Sequence, residues 1–343
     1  MKAMVIRKLG NIQEDGNPLE FTNFPNPNLG EGEILIKVST CGVCHTELDE
    51  IEGRTPPPRL PMIPGHQVIG HVFDKGRTKT DLSIGQRVGV GWIHSTCGKC
   101  EFCLSGRENL CADFLATGRD ANGGYAEYMA VPALFCYPIP ESISDIESAP
   151  MLCAGAIGYR SLNLANIQDG DALGLTGFGA SGHLVLKMAR HLFPDSAIFV
   201  FTRSPKEMEY SRELGAAWAG EIDAKPPTLL NAIIDTTPAW KPIIEGLECL
   251  KPGGRLIINA IRKEDIDHEW LQKLDYSKHL WMEKEIKSVA NVTRSDITHF
   301  LELADRVDIR PQTNIYPLVE ANRAVLDLKF RRVHGAAVLI VGQ

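Results

Sequence analysis

The sequence pattern that most limits the fold of this chain is the stretch Asp171-Ala-Leu-Gly-Leu-Thr-Gly177-Phe-Gly179-Ala-Ser-Gly182. Its first part is typical of a buried strand, and residues 183–192 behind it have helical periodicity. A lone Gly-x-Gly-x-x-Gly is weak evidence, but between a strand and a helix it is the dinucleotide-binding fingerprint, because the glycines let the backbone approach the pyrophosphate. The helix N-terminus adds N–H donors and a positive dipole for that anion. We therefore expect Gly177, Gly179 and Gly182 to bind a dinucleotide.

Strands and helices continue to alternate after this stretch. Residues 197–202 are typical of a second strand, and residues 205–214 are typical of a helix. Residues 232–235 and 255–259 predict further buried strands. Strands that alternate with helices imply a parallel, doubly wound sheet. We expect residues 155–291 to form this dinucleotide-binding domain.

The first part of the chain is β-rich instead. Short apolar runs of strand length, bounded by Gly and Pro, occupy residues 33–39, 67–73, 86–90 and 125–131. Such spacing suggests a barrel-like or sandwich domain rather than βαβ units. A helix at 297–306 and a strand at 336–341 are predicted near the end of the chain. We expect this tail to return to the first domain, so that residues 1–154 and 292–343 form one unit.

Length and composition limit the classes of function. With 343 residues the chain exceeds the usual size of a single core, which favours two domains. A net charge of -7 argues against a nucleic-acid or anionic-membrane partner. We find no apolar segment long enough to span a bilayer and no signal-peptide h-region at the N-terminus. Nine cysteines without a secretion signal favour a reducing compartment, so we expect a cytoplasmic protein.

A group of cysteines lies close together in the chain, at Cys97, Cys100, Cys103 and Cys111. Two-residue spacings let successive sulfurs turn onto one ion, and four thiolates close a tetrahedral zinc site. A closed site has no position for a substrate, so the expected role of this four-cysteine cluster is structural. The alternative is a cluster of reduced surface thiols, but free cysteines are usually buried and scattered.

Cys41 and Cys44 form a separate Cys-x-x-Cys motif. Such a motif indicates a redox pair when it lies in a βαβ setting. This one lies in the β-rich part of the chain, so the redox pair is retained as an alternative only. Cys136 and Cys249 are typical of small core residues.

Several separated motifs occur in one informative order. They are Gly42-Val-Cys-His-Thr46, Pro64-Gly65-His66, the four-cysteine cluster, Cys153-Ala-Gly155 and the glycine fingerprint. In this order they resemble the zinc-dependent medium-chain alcohol dehydrogenases, closest to the microbial and cinnamyl-alcohol-dehydrogenase-like branch. The resemblance covers nearly the whole chain. It implies an α/β fold with a β-rich, GroES-like catalytic domain and a doubly wound parallel Rossmann sheet.

The resemblance also implies roles for single residues. Cys44, His66 and Cys153 would bind a catalytic zinc, and the four-cysteine cluster would bind a structural zinc, which gives two zinc ions per subunit. Thr46 lies where the family keeps a hydroxyl that takes the proton from the alcohol. His45 lies where a basic residue commonly meets the cofactor pyrophosphate. Zinc lowers the pKa of a bound water to about 7, and it polarises an aldehyde carbonyl in the reverse direction.

Four positions depart from the family pattern. Gln67 stands where a Glu usually follows the ligand histidine, so exchange of water at the metal is expected to differ. Asp49 stands where many relatives end the proton relay in a histidine, so either Asp49 accepts the proton or the relay stops at solvent. Ile157 replaces a threonine commonly found near the nicotinamide, and Cys41 is an additional thiol. Trp92 resembles an aromatic residue that lines the substrate pocket in relatives, although such a tryptophan is more often part of a core.

The choice between NAD and NADP depends on the end of the second Rossmann strand. A carboxylate there accepts from the ribose hydroxyl and repels a 2′-phosphate, but this chain has Thr202, Arg203 and Ser204 and no acid. Arg203 can bind a phosphate bidentately. The alternative is that Arg203 stacks on adenine or points to solvent. We expect NADP to be slightly favoured over NAD.

The resulting hypothesis is a zinc-dependent alcohol dehydrogenase, or aldehyde reductase, that transfers a hydride between a primary alcohol and NAD(P). One alternative is a polyol or secondary-alcohol dehydrogenase of the same fold. Another is a non-catalytic zinc- and nucleotide-binding sensor, with Gln67 and Asp49 as marks of lost catalysis. The resemblance further implies a homodimer or homotetramer whose only other partner is a small-molecule alcohol or aldehyde.

Overall fold

The computed structural model describes residues 1–307 and 309–342. Its strands are β1 (Lys2–Val5), β2 (Glu20–Asn23), β3 (Glu33–Val43), β4 (Val68–Asp74), β5 (Arg87–Val90), β6 (Ile93–Ser95), β7 (Leu115–Ala116), β8 (Tyr128–Pro132), β9 (Cys136–Pro138), β10 (Ala172–Thr176), β11 (Ala197–Phe201), β12 (Trp218–Gly220), β13 (Leu230–Asp235), β14 (Leu250–Ile258), β15 (Glu285–Ser288), β16 (Thr313–Pro317) and β17 (Ala336–Ile340). Its α-helices are α1 (His45–Ile51), α2 (Glu101–Leu104), α3 (Asp145–Pro150), α4 (Ala156–Ala165), α5 (Ala180–Leu192), α6 (Pro205–Glu213), α7 (Lys241–Glu248), α8 (Arg294–Arg306) and α9 (Ala321–Lys329). Among the described helices, none is long and apolar enough to cross a membrane.

The chain divides into two compact units. One comprises Met1–Cys153 and Val292–Gln343, and the other comprises Ala154–Asn291. The first unit is rich in strands, and in the second unit strands alternate with helices. The predicted fold class, a β-rich domain together with a parallel, doubly wound sheet, is confirmed.

The first unit is built on a seven-stranded sheet in the order β16-β17-β3-β4-β5-β9, with β8 also paired to β3. β3 lies at its centre, antiparallel to β4, β8 and β17. Alternate residues of β3, including Ile34, Ile36 and Val38, are buried in the core, as the period of two in a strand requires. At the end of β3, Cys41 pairs with Val68 and Leu339. The strand is therefore fixed where it leads into α1.

One predicted strand of this unit begins later than expected. Residues 125–131 were expected to be extended, but β8 begins at Tyr128. The backbone before it pairs with a loop instead, because Gly124 N–H donates to the Gly65 carbonyl at 2.9 Å and Tyr125 N–H donates to the Pro64 carbonyl at 3.1 Å. These bonds hold the loop that carries His66.

The second unit contains a six-stranded sheet in the order β12-β11-β10-β13-β14-β15, and all its strand pairs are parallel. β10 is buried along its whole length, as a central strand covered on both faces must be. The segment Pro252-Gly253-Gly254 lies within β14, beside a shift of register against β13. β10 lies between β11 and β13, so the chain leaves it at the point where the strand order reverses, which is where such sheets bind ligands.

Candidate active site and cofactor site

Cys44 lies at the junction between β3 and α1. Its Sγ accepts a hydrogen bond from Thr46 N–H at 3.3 Å, and its own N–H donates to Glu47 Oε2 at 2.7 Å. This reciprocal arrangement is a capping box in which a thiol takes the usual place of a hydroxyl. The first turn of α1 therefore fixes the position of the Cys44 sulfur.

His66 is oriented by a carboxylate that the sequence interpretation missed. Its Nδ1 lies 2.6 Å from Glu47 Oε1, and both side chains are buried, at 1% and 0% exposure. Its Nε2 lies 3.6 Å from Cys44 Sγ. A histidine that binds a metal usually donates its other ring N–H to a carboxylate, which fixes the tautomer. The signal in the sequence was an acid three residues after Cys44, at the position where a capping box needs one.

Cys153 completes this group from the helical turn Met151–Gly155. The ligand atoms of Cys44, His66 and Cys153 all lie within 4.8 Å of one another. Zinc bonds of about 2.3 Å to sulfur and about 2.0–2.1 Å to nitrogen place tetrahedral S and N ligands about 3.6 Å apart. The separation of 3.6 Å between Cys44 Sγ and His66 Nε2 fits that requirement. We call this group the three-ligand site.

The surroundings of the three-ligand site raise the pKa values of Cys44 and His66 and so favour their protonated forms. A hydrogen bond with Cys153, burial and the Glu47 carboxylate raise the pKa of the Cys44 thiol well above its usual range. Burial acts to lower the pKa of His66, but the charges of Glu47 and Cys44 and hydrogen bonds to both outweigh it and raise that pKa. Coordination of a cation displaces such protons, so cation affinity here rises with pH.

The four-cysteine cluster is also assembled. The Sγ atoms of Cys97 and Cys103 lie 3.9 Å apart, those of Cys100 and Cys103 lie 3.5 Å apart, and those of Cys97 and Cys111 lie 3.6 Å apart. A zinc tetrahedron with bonds of about 2.3 Å needs sulfurs about 3.8 Å apart. Hydrogen bonds from the N–H groups of Lys99 and Cys100 lower the pKa of Cys97 to about 6. These residues fit a closed zinc site.

The Cys-x-x-Cys alternative is disfavoured by the position of Cys41. This residue is 0% exposed, and burial and the Glu47 charge raise the pKa of its thiol. Its sulfur packs so closely that a Cβ on Gly65 would lie 2.8 Å from it. Redox-active cysteines are partly exposed and have lowered pKa values.

The other residues predicted on α1 differ in their environments. His45 is exposed, whereas Thr46 is 7% exposed and Asp49 is 1% exposed. The Asp49 carboxylate accepts from Arg54 Nε at 2.6 Å. Asp49 is therefore held in an ion pair beside the predicted proton relay.

Gln67 and Trp92 pack near this region in different ways. The Gln67 side chain is buried against the backbone of Gly42, where a Cβ would have no room. Trp92 is half-buried, its ring 5.1 Å from that of Phe114, with the Arg119 guanidinium 5.6 Å from the Trp92 ring. Within residues 1–307 and 309–342, Trp92 Nε1 is buried without a hydrogen-bond partner. A buried donor of this kind suits a polar ligand better than a purely apolar core.

The glycine fingerprint forms the turn between β10 and α5. Gly177 has a φ of +79°, and its N–H donates to the Phe201 carbonyl at 2.8 Å. A Cβ on Gly182 would lie 2.9 Å from the Gly177 carbonyl, whereas a Cβ on Gly179 would meet nothing within 4 Å. The turn is thus closed on one side and open at Gly179, which fits close approach of a pyrophosphate.

The residues after β11 lie at the same edge of this sheet. Thr202 is 8% exposed, Ser204 caps α6 and Arg203 is exposed. The structure thus places the predicted cofactor residues of the second unit at the carboxyl ends of β10 and β11, the location expected for a dinucleotide.

Comparisons with known proteins identify the family. The family described as the alcohol dehydrogenase GroES-like domain matches residues 30–141. A probable alcohol dehydrogenase of Mycobacterium tuberculosis is 40% identical over 346 residues, which cover 99% of this chain and 97% of that protein. The chain belongs to the zinc-dependent medium-chain alcohol dehydrogenases. An alcohol dehydrogenase of Geobacillus stearothermophilus is 30% identical, covering 99% of this chain and 98% of the relative.

A solved structure supports the fold of this alcohol dehydrogenase as well. The cinnamyl alcohol dehydrogenase of Sorghum bicolor is 27% identical and superposes with a TM-score of 0.86, covering 99% of this chain and 97% of the other. The family and the activity class predicted from the motifs are therefore confirmed: this protein is an oxidoreductase that acts on alcohols.

Proposed function

We propose that this alcohol dehydrogenase interconverts primary alcohols and aldehydes by hydride transfer to and from NAD(P), with zinc held by Cys44, His66 and Cys153. The observation that carries the proposal is the convergence of these three donors at separations suited to tetrahedral zinc. Three protein ligands leave the fourth position to the substrate, as in other catalytic zinc sites.

Zinc bound there would acidify a ligand hydroxyl and polarise a carbonyl. Around it, Glu47 holds the His66 ring and Thr46 passes the proton outward, since its hydroxyl can donate and accept at once. Asp49 is paired with Arg54, so the proton continues to solvent rather than ending on Asp49. Gln67 is a neutral side chain, so exchange of water at the zinc would differ from that in relatives with a Glu at this position.

These sites give the two units different roles, zinc binding in one and dinucleotide binding in the other. Residues 1–154 and 292–343 act as the catalytic zinc-binding domain, in which the four-cysteine cluster holds a second, structural zinc. Residues 155–291 bind the dinucleotide through Gly177, Gly179 and Gly182. A homodimer or homotetramer and a cytoplasmic location complete the proposal.

For the cofactor, NADP is slightly favoured over NAD. The support is the exposed Arg203 guanidinium behind β11, which can bind a 2′-phosphate with Ser204 beside it. His45 is exposed at the start of α1 and is the candidate for the cofactor pyrophosphate.

For the substrate, an aromatic aldehyde is the first choice. The support is the likeness to the cinnamyl alcohol dehydrogenase of Sorghum bicolor and the half-buried Trp92, whose indole N–H lacks a partner among the described residues. An aromatic wall with one polar donor is typical of small-molecule sites.

The test measures oxidation of NADPH and of NADH with a panel of benzaldehyde-type aldehydes, short aliphatic aldehydes and ketones, and it measures oxidation of polyols in the reverse direction, all repeated after chelation. We expect turnover that is lost on chelation. We also expect it to be faster with aldehydes than with ketones. Faster turnover of polyols or ketones would favour the secondary-alcohol alternative. No chelator-sensitive turnover on any carbonyl would favour the non-catalytic sensor, and a kcat/KM ratio for NADP over NAD below one would reverse the cofactor preference.

A further inference from the structure

A carboxylate lies close in space to the end of β11, although it comes several residues later in the sequence. Thr202 follows β11 directly, and its N–H donates to the Gly220 carbonyl at 2.9 Å. The Thr202 hydroxyl donates to Glu207 Oε2 at 2.5 Å, although Glu207 lies five residues later, in the first turn of α6. A carboxylate therefore lies at the end of the second strand in space but not in sequence.

This carboxylate is held from two sides. Glu207 N–H donates to the capping Ser204 Oγ at 3.3 Å, which fixes the backbone of the first turn of α6. Ser204 N–H in turn donates to Thr202 Oγ1 at 3.4 Å. The Thr202 hydroxyl proton is committed to Glu207, so it is not free to bind a second anion.

The same edge of the sheet carries the glycine turn. Gly177 N–H donates to the carbonyl of Phe201, the last residue of β11, so the turn and the end of the strand are hydrogen-bonded neighbours. Two opposite charges follow that strand end: Glu207, bonded to Thr202, and the exposed guanidinium of Arg203.

We infer that Glu207 is a specificity-determining residue that accepts from the 2′-hydroxyl of an NAD ribose and opposes the 2′-phosphate of NADP. The inference rests on the proposed function, which supplies the nucleotide. A phosphate monoester carries about -1.5 to -2 charges at neutral pH, so a nearby carboxylate repels it while Arg203 attracts it. The slight preference for NADP is then the balance of these two side chains.

The test measures binding of adenosine 2′,5′-bisphosphate and of 5′-AMP to the full chain by calorimetry, which needs neither zinc nor turnover. Glu207→Gln keeps an oxygen that can accept from Thr202 and removes the charge. We expect this variant to bind the bisphosphate about fivefold to tenfold more tightly and to change 5′-AMP affinity less than about twofold. Arg203→Ala should weaken binding of the bisphosphate more than binding of 5′-AMP.

Glu209→Gln is the matched control, because Glu209 is an exposed acid of the same helix whose position two residues on faces away from Glu207. If both ligands bind and their affinity ratio is the same in the wild type, Glu207→Gln and Glu209→Gln, the inference about Glu207 is wrong while the proposed nucleotide site stands. If neither ligand binds the wild type, the proposed nucleotide site fails and the inference fails with it.

Discussion

The two candidate zinc sites of the first unit are assembled in opposite ways. The four-cysteine cluster draws all its ligands from a single short segment between Cys97 and Cys111. The three-ligand site needs the start of α1, the loop at His66 and the turn at Cys153 to meet. One site is a local property of the chain, and the other exists only when the domain has folded.

The two sites also differ in the pKa values of their thiols. In the cluster, backbone N–H groups lower the pKa of Cys97 to about 6, so a thiolate is available at neutral pH. In the three-ligand site, the pKa of Cys44 is raised, and a buried carboxylate, Glu47, is needed to orient His66. A local site can therefore be stable in itself, whereas the catalytic site depends on its supporting residues.

The strongest test of this difference removes one ligand from each site. Cys44→Ala should lower kcat by at least about a thousandfold, because the site loses its zinc or holds it wrongly. It should leave about half the metal, which belongs to the four-cysteine cluster, as measured by elemental analysis. Cys97→Ser should do the converse, with loss of the cluster zinc and retention of turnover in the protein that remains folded.

Cys249→Ala serves as the control for both variants, because Cys249 is a buried cysteine of the second unit that belongs to neither group. It should retain all the zinc and the activity. Loss of both zinc ions in Cys44→Ala, or of none, would contradict the assignment of two independent sites.

The same contrast explains how much could be predicted from the sequence. The two-residue spacings of the cluster and the Gly-x-Gly-x-x-Gly between strand and helix are local patterns, and both are formed at the predicted residues. The grouping of Cys44, His66 and Cys153 followed from family resemblance alone, because no spacing rule joins such distant positions. Glu47 and Glu207 were missed, since their roles arise from the first turns of α1 and α6 folding back on earlier residues.

A second test separates ligands from their support. Glu47→Gln removes the charge that stabilises the His66 ring, and loss of such a partner typically weakens metal affinity about 10-fold to 100-fold. We expect this loss at the three-ligand site only, measured by competition with a chromogenic chelator. Glu101→Gln, at an exposed acid in the first turn of α2, should leave both affinities unchanged. Equal weakening of both zinc sites by Glu47→Gln would mean that Glu47 does not act specifically on the three-ligand site.

The smallest predicted effect concerns the anchoring of α1. Glu52, which follows this helix, accepts from Ile12 N–H at 3.0 Å and pairs with Arg54 and with Lys329 of α9. Burial acts to raise the pKa of Glu52, but these partners outweigh it and lower the pKa below its usual range. Such a carboxyl contributes stability above its unfolded pKa of about 4.3, and the contribution is lost as the pH falls through the lower folded value.

Glu52→Gln should therefore lower the free energy of unfolding by about 0.5–1 kcal/mol at pH 7 and flatten its decline in acid. Chemical denaturation between pH 3 and pH 7 measures both effects. Glu20→Gln, which breaks the half-exposed pair with Arg7, is the control and should change little. Because Cys44 and Glu47 lie at the start of α1, Glu52→Gln should also speed zinc loss from the three-ligand site to a chelator at pH 7, while the four-cysteine cluster, built without α1, keeps its ion. Equal acceleration at both sites would mean that the cluster also depends on the fold around it.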